Sequence, residues 1–191
     1  MYIILDNGHG GTINGKYQTA GKRSPKWPDG SQLFEGVYNR EIVGKLRRFL
    51  CMNEIEFEVL VPEQTDVSLT ERVRRVNSIY KKRKDAILIS VHADAFSKES
   101  ANGFSVYTSP GKTRSDGYAK IISEQYEKNI PEIRNRGIKE ANFYILKRTN
   151  CPAVLIETGF MTNKKDCEFL MSNHYRISRA IYEGIESIVN D

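Results

Sequence analysis

Two of the three histidines in this chain stand where an apolar run gives out. His9 follows YIILDN inside Asn7-Gly8-His9-Gly10-Gly11, and His92 ends AILISVH, residues 86 to 92. A neutral imidazole is a common metal ligand, and flanking glycines let the backbone turn tightly enough to present one. Catalytic zinc often takes two His and one Glu and leaves its fourth position to water. A carboxylate is therefore required. Glu35 and Glu41 both lie at the head of the first helical pattern, where an acid also offsets the positive helix end, and spacing alone does not choose between them. Glu157 is a different kind of acid, because it terminates the apolar run PAVLIE. Low-dielectric surroundings raise a carboxyl pKa toward the range useful to a general acid or base. The competing reading is a buried acid paired to Arg136 or Arg148.

A glycine loop after a first strand also suggests a phosphate cradle, which spacing excludes. A dinucleotide fingerprint needs G-x-G-x-x-G, yet after Gly8 and Gly10 the third position is Ile13. A P-loop needs four residues between its glycines, and Gly11 to Gly15-Lys16 falls one short.

The elements that must position these groups are legible as alternating patterns. YIILDN (2 to 7), EFEVLVP (56 to 62), AILISVH (86 to 92), GFSVYTS (103 to 109), FYILK (143 to 147) and AVLIET (153 to 158) read as strands. Three are apolar on both faces, as strands are when helices cover a largely parallel sheet from both sides. Helical spacing marks Tyr38, Ile42, Leu46 and Phe49, then residues 68 to 84, then Tyr118, Ile121, Ile122 and Tyr126, and finally Ile177, Ile181, Ile185 and Ile188. The order predicts a three-layer α/β/α sandwich around a mostly parallel mixed sheet of about six strands, with GFSVYTS antiparallel or at an edge. In open α/β sheets sites gather at the carboxyl ends of strands, where His9, His92 and Glu157 fall.

One connection, residues 11 to 34, is too long to be a plain linker and holds the single tryptophan, Trp27, between Pro25 and Pro28. Its indole would either stack on a sugar in a substrate groove or anchor the loop to the body. The 191 residues suit one domain. Three cysteines, Cys51, Cys151 and Cys167, form no C-x-x-C pair and are expected to be buried thiols. A net charge of +5 favours anionic partners in general. The densest basic stretch, RVRRVNSIYKKRK from residue 72, reads as a solvated helix face and predicts no nucleic-acid site. MYIILDN lacks the basic start and long apolar core of an export signal, and no apolar run is long enough for a membrane span.

Five blocks in order resemble the zinc-dependent N-acetylmuramoyl-L-alanine amidases: D-N-G-H-G-G, E-G-V-Y-N, S-V-H-A-D-A, R-G-I-K-E-A-N-F-Y-I-L and V-L-I-E-T-G-F-M-T-N. T-D-V-S-L-T-E-R, ending at Arg72, is also similar to that family. The resemblance implies that His9, Glu35 and His92 bind one zinc ion per chain and that Glu157 is the catalytic carboxylate. It selects Glu35 over Glu41, and it departs from the family at Asn7, usually proline there, and in the long 11 to 34 loop. The activity implied is hydrolysis of the amide between N-acetylmuramic acid and L-alanine in peptidoglycan, with residues 1 to 191 as a single catalytic domain acting as a monomer. A zinc peptidase cutting stem-peptide bonds and a silent wall-binding module are the alternatives. Trp27, Arg136, Asn142 and Tyr144 are the candidate substrate-binding residues. Asp6 and Asp94 are near enough in sequence to support the imidazoles, and both are expected rather to shape their turns. His174, outside every block, is expected at the surface. The short span from His92 to Glu157 leaves little room for a regulatory helix, so an open site is expected. The wall is then reached by phage-type release or, where a leader is removed, by export, with targeting left to the catalytic domain.

Overall fold

A computed structural model describes residues 1–190. In chain order the elements are β1 (Tyr2–Asn7), β2 (Thr12–Ile13), β3 (Lys16–Tyr17), α1 (Glu35–Met52), β4 (Phe57–Val59), α2 (Leu69–Lys82), β5 (Ala86–Asp94), β6 (Phe104–Thr108), α3 (Ser115–Asn129), β7 (Asn135–Glu140), α4 (Tyr144–Arg148), β8 (Ala153–Phe160), α5 (Lys164–Ser172) and α6 (His174–Asn190). Six strands form one sheet in the order β4-β1-β5-β8-β6-β7. β4, β1, β5 and β8 run parallel, β6 opposes β8, and β7 is parallel to β6. The sandwich and its mixed sheet are as expected.

Alternation along the central strands explains the three layers. Ile87, Ile89, Val91, Val154 and Ile156 point to one face, where they pack with Ile42 and Leu46 of α1, Ile122 and Tyr126 of α3, and Ile177, Ile181 and Ile185 of α6. Leu88, Ala153 and Leu155 point to the other, against Val73 and Val76 of α2 and Ile145 and Leu146 of α4. By the same period of two, His92 and Glu157 share the α2 and α4 face at the carboxyl ends of neighbouring strands. They are direct register partners.

Helix ends follow their sequence signals. Ser68 Oγ accepts from the Glu71 amide at the start of α2, and Asn163 Oδ1 accepts from the Asp166 amide at the start of α5. α1 has no side-chain cap; its Glu35 amide donates instead to the Lys22 carbonyl at 3.0 Å, which ties the long loop to the helix.

Several expectations are corrected. FYILK is not a strand: residues 144–148 form α4, a single helical turn and a half that buries Ile145 and Leu146. The sixth strand is β7, a polar stretch not expected to be a strand, which takes the sheet edge beyond β6, while β6 itself runs antiparallel to β8 as expected. Residues 164–172 form α5, which carried no predicted helix. The 11 to 34 loop has structure of its own, a β2-β3 hairpin turning at Asn14-Gly15 with φ of 49° and 75°. Cys151 and Cys167 are buried, whereas Cys51 is exposed. On and just after α2, Arg74 and Arg75 pair with Glu71, Arg75 also with Glu63, and Arg83 with Glu56 and Asp85, so three of the seven cations in the basic stretch are paired at the surface. Arg72 departs from that face and is 2% exposed. No helix among the described residues is long and apolar enough to cross a membrane.

Candidate metal centre

α1 begins on Glu35 and delivers its carboxylate, 2% exposed, between the two strand-end imidazoles. Oε1 lies 3.1 Å from His9 Nε2 and 2.9 Å from His92 Nδ1. The two rings meet edge to face at 88° with centroids 5.0 Å apart. Burial by itself would raise the Glu35 carboxyl pKa, but hydrogen bonds and charge from His9 and His92 overcome it and hold the group well below the usual carboxylate range. The same partnership acts on His92: burial opposes its protonation, and Glu35 more than compensates, so its pKa is raised.

These three residues fit a zinc ion. One ligand atom from each lies within 4.8 Å of the others, and the set is two nitrogens and a carboxylate oxygen. Ligand atoms ~2.1 Å from a tetrahedral zinc stand ~3.4 Å from one another, so only small movements would admit the ion.

The glycines around His9 serve close approach. A Cβ on Gly8 would come within 2.1 Å of His92 Cε1, and one on Gly36 would meet the Gly10 carbonyl oxygen at 1.9 Å. Only glycine at these places lets the loop lie between the second imidazole and the head of α1. Asn39 Nδ2 donates to the Gly8 carbonyl at 3.0 Å, fixing the loop to the same helix. Asp6 supports Arg72 and accepts from Ser90 Oγ, and Asp94 accepts from the Ala95 amide. Neither aspartate bonds an imidazole among the described residues; Asp94 makes the local bond expected of it, whereas Asp6, within β1, ties the strand to Arg72 and Ser90 rather than shaping a turn.

Glu157 stands beside His92 on β8 with Oε2 buried and without a hydrogen-bond partner. No arginine among the described residues pairs with it. Arg136 donates to the Asn102 carbonyl and lies over the Phe160 ring, while Arg148 lies over Tyr144. Burial is the main cause that pushes the Glu157 carboxyl up to about 8; His92 pulls down, and Glu35 and Asp94 push up.

A cavity of about 280 Å³ opens over this group, lined by His9, Glu35, His92 and Glu157 together with Lys22, Leu69, Asp94, Phe143, Tyr144, Ile145 and Leu155. A larger depression of about 580 Å³ between β4 and α2 shares none of these residues. Of the other expected substrate contacts, Tyr144 lines the cleft, while Asn142 is exposed outside it and Arg136 does not reach it. Lys22, the single Lys or Arg in the lining, carried no sequence signal. His174 is half-buried, its ring 5.5 Å from that of Tyr38, rather than at the surface.

Trp27 is 7% exposed in the core, and its indole N–H donates to Cys167 Sγ at 3.3 Å. The groove role gives way to the anchoring one. Trp27→Ala is expected to lower unfolding free energy by about 3 kcal/mol, since truncating a buried indole leaves a cavity. Zinc content and substrate affinity of the folded fraction stay unchanged, which urea titration and metal analysis together check.

The sequence profile described as N-acetylmuramoyl-L-alanine amidase matches residues 3–187. Among curated relatives, the N-acetylmuramoyl-L-alanine amidase CwlM of Bacillus licheniformis is 30% identical across 98% of this chain and 68% of its own length. The probable cell wall amidase LytH of Staphylococcus saprophyticus is 28% identical across 99% of this chain, which spans 58% of that protein. The crystal structure of an N-acetylmuramoyl-L-alanine amidase from Clostridium difficile 630 superposes with a TM-score of 0.82 at 26% identity, covering 100% of this chain and 97% of that one. With the fold shared over its whole length and the profile spanning all four residues of the centre, the chain belongs to the N-acetylmuramoyl-L-alanine amidase family.

Proposed function

We propose that this chain is a single catalytic domain that hydrolyses the amide between the lactyl group of N-acetylmuramic acid and the L-alanine of the peptidoglycan stem peptide, acting on the cell wall as a monomer. His9, Glu35 and His92 hold one zinc ion, and Glu157 is the catalytic carboxylate. The observation that carries this reading is the unpartnered Glu157 Oε2 beside the three-residue ligand cluster in one cleft.

The chemistry a zinc ion supplies when bound there is polarisation of the scissile carbonyl and a lowered pKa for water, from 15.7 toward about 7. Glu157 takes the proton of the attacking water and delivers it to the departing alanine nitrogen. Burial raises the Glu157 carboxyl and so suits the acid half of that transfer, and the positive charge of a bound zinc would favour the carboxylate that the base half needs. Leu69, Phe143, Ile145 and Leu155 restrict water around the reacting amide, and Tyr144 offers a ring face to a sugar. Lys22 reaches the cleft from a main chain fixed to the start of α1 and meets an anionic group of the stem peptide.

Digestion of purified peptidoglycan tests the assignment. Expected products are stem peptides with new L-alanine amino termini, read by mass, and their release stops with chelator and returns with zinc. Cleavage at internal peptide bonds would instead make the chain a zinc peptidase, and binding without metal-dependent release would make it a wall-binding module.

A further inference from the structure

We propose that Arg40 and Arg72 are positioning residues that clamp the main-chain carbonyl of His9 and thereby set the metal affinity of the centre. The idea rests on the metal reading above and not on the bond that is cut. His9 has φ of 68°, in the left-handed region that its Cβ disfavours. Its carbonyl oxygen accepts two charge-assisted hydrogen bonds, from Arg40 Nη1 at 2.8 Å and from Arg72 Nη2 at 3.0 Å.

Each guanidinium joins that carbonyl to a different part of the fold. Arg40 also donates to the Gly36 carbonyl at 3.1 Å and the Glu63 carbonyl at 2.7 Å. Arg72 also donates to the carbonyls of Asn7 at 3.1 Å and Val67 at 3.0 Å and to the Asp6 carboxylate. Arg40 lies on α1, five residues after Glu35, so the helix that supplies one ligand holds the backbone of another. A planar fork with fixed N–H directions holds these carbonyls in set positions, which the compact, freely rotating ammonium of a lysine does not.

Charge and geometry predict opposite outcomes here. Arg72 has Asp6 as its counter-ion, whereas Arg40 makes no ion pair among the described residues. As a nearby cation, Arg40 opposes a dication, so on charge alone its removal tightens zinc binding. As a clamp, its removal loosens zinc, because His9 is no longer held in its ligating conformation.

The experiment is competition for zinc between a chromophoric chelator and the full chain, for wild type, Arg40→Met, Arg40→Lys and Arg74→Met, each shown to be folded by its metal-free melting curve. Both Arg40 variants are expected to bind zinc at least ~10-fold more weakly, in line with other groups that orient metal ligands. Arg74, exposed and bonded to Glu71, is the control on the same helix as Arg72, and its variant stays within twofold. Arg40→Lys keeps the charge and decides the matter if the methionine variant does not fold. Unchanged or tighter zinc binding in a folded Arg40 variant overturns the clamp. Failure of the wild type itself to bind zinc overturns the metal reading instead, so the two ideas fail separately.

Discussion

Glu157→Gln is expected to reduce turnover on peptidoglycan by at least ~100-fold while one zinc ion per chain remains bound. A positioned general acid–base group contributes about 10²- to 10⁴-fold, and the other carboxyls lining the cleft, Glu35 and Asp94, are engaged with the imidazoles and with the Ala95 amide. The amide is isosteric and cannot exchange the proton, so substrate affinity should hold while kcat falls. Full activity with zinc in place would remove Glu157 from the mechanism. The same substitution has a second, independent signature in the metal-free protein. Folding raises this carboxyl from its ordinary 4.5 to about 8, so the folded chain holds the proton more tightly than the unfolded one. Stability is therefore lost as pH rises from 4.5 through 8, and Gln, which never ionises, escapes that loss. Melting with chelator present should show the variant more stable by about 1 kcal/mol or more at pH 9 and equal at pH 4. Equal melting at both pH values would mean that the carboxylate is solvated after all.

Glu35→Ala should abolish both zinc binding and activity, and Glu41→Ala should change neither. Glu35 accepts from both imidazoles, so its loss leaves two ligands, too few to retain zinc against chelator. Glu41 is exposed on the same helix, beside a shallow cavity with Tyr38 and His174, and replacing it should alter stability by less than about 0.5 kcal/mol. Metal analysis of the two purified variants separates them directly. Zinc retained by Glu35→Ala would remove Glu35 from the ligand set.

The choice between these two glutamates was present in the sequence, though in helix phase and not in spacing from the histidines. The stripe of α1 that packs inward runs through Tyr38, Asn39, Ile42, Leu46 and Leu50, and Glu35 is in phase with it while Glu41 is not. The central strands were legible for a related reason: β1, β5 and β8 are apolar on both faces, and a continuous apolar run of that length has few other solutions. β7 was hidden because Asn135–Glu140 lies at the sheet edge, is only partly buried and contains a glycine. FYILK misled because five residues are too few for either period to declare itself. Its Tyr144–Arg148 turn buries Ile145 and Leu146, adjacent residues that fit a strand as well as a helix.

Within the candidate site, His9, His92 and Glu157 were readable because each stands where an apolar run gives out. The supporting residues were not. Arg40 and Arg72 act on main-chain carbonyls, and a carbonyl has no residue type to mark it. Arg72 looked like one cation of a solvated helix face, yet it is buried against Asp6. Lys22 was equally silent, since a lysine in a loop rich in Lys and Gly has no periodicity that would place it in a cleft.

The pairing of His92 with Glu157 has a consequence for how activity appears during folding. β5 and β8 occupy the middle of the sheet, and their contact joins positions 65 residues apart in the chain, while β1 reaches β5 across more than eighty. Long-range parallel pairings form late, after the chain has closed large loops. A partly folded chain can therefore form the helices α3 and α6 and still lack His92 beside Glu157. Recovery of hydrolysis after dilution from denaturant should lag the recovery of helical signal, and turnover then reports native topology rather than compaction.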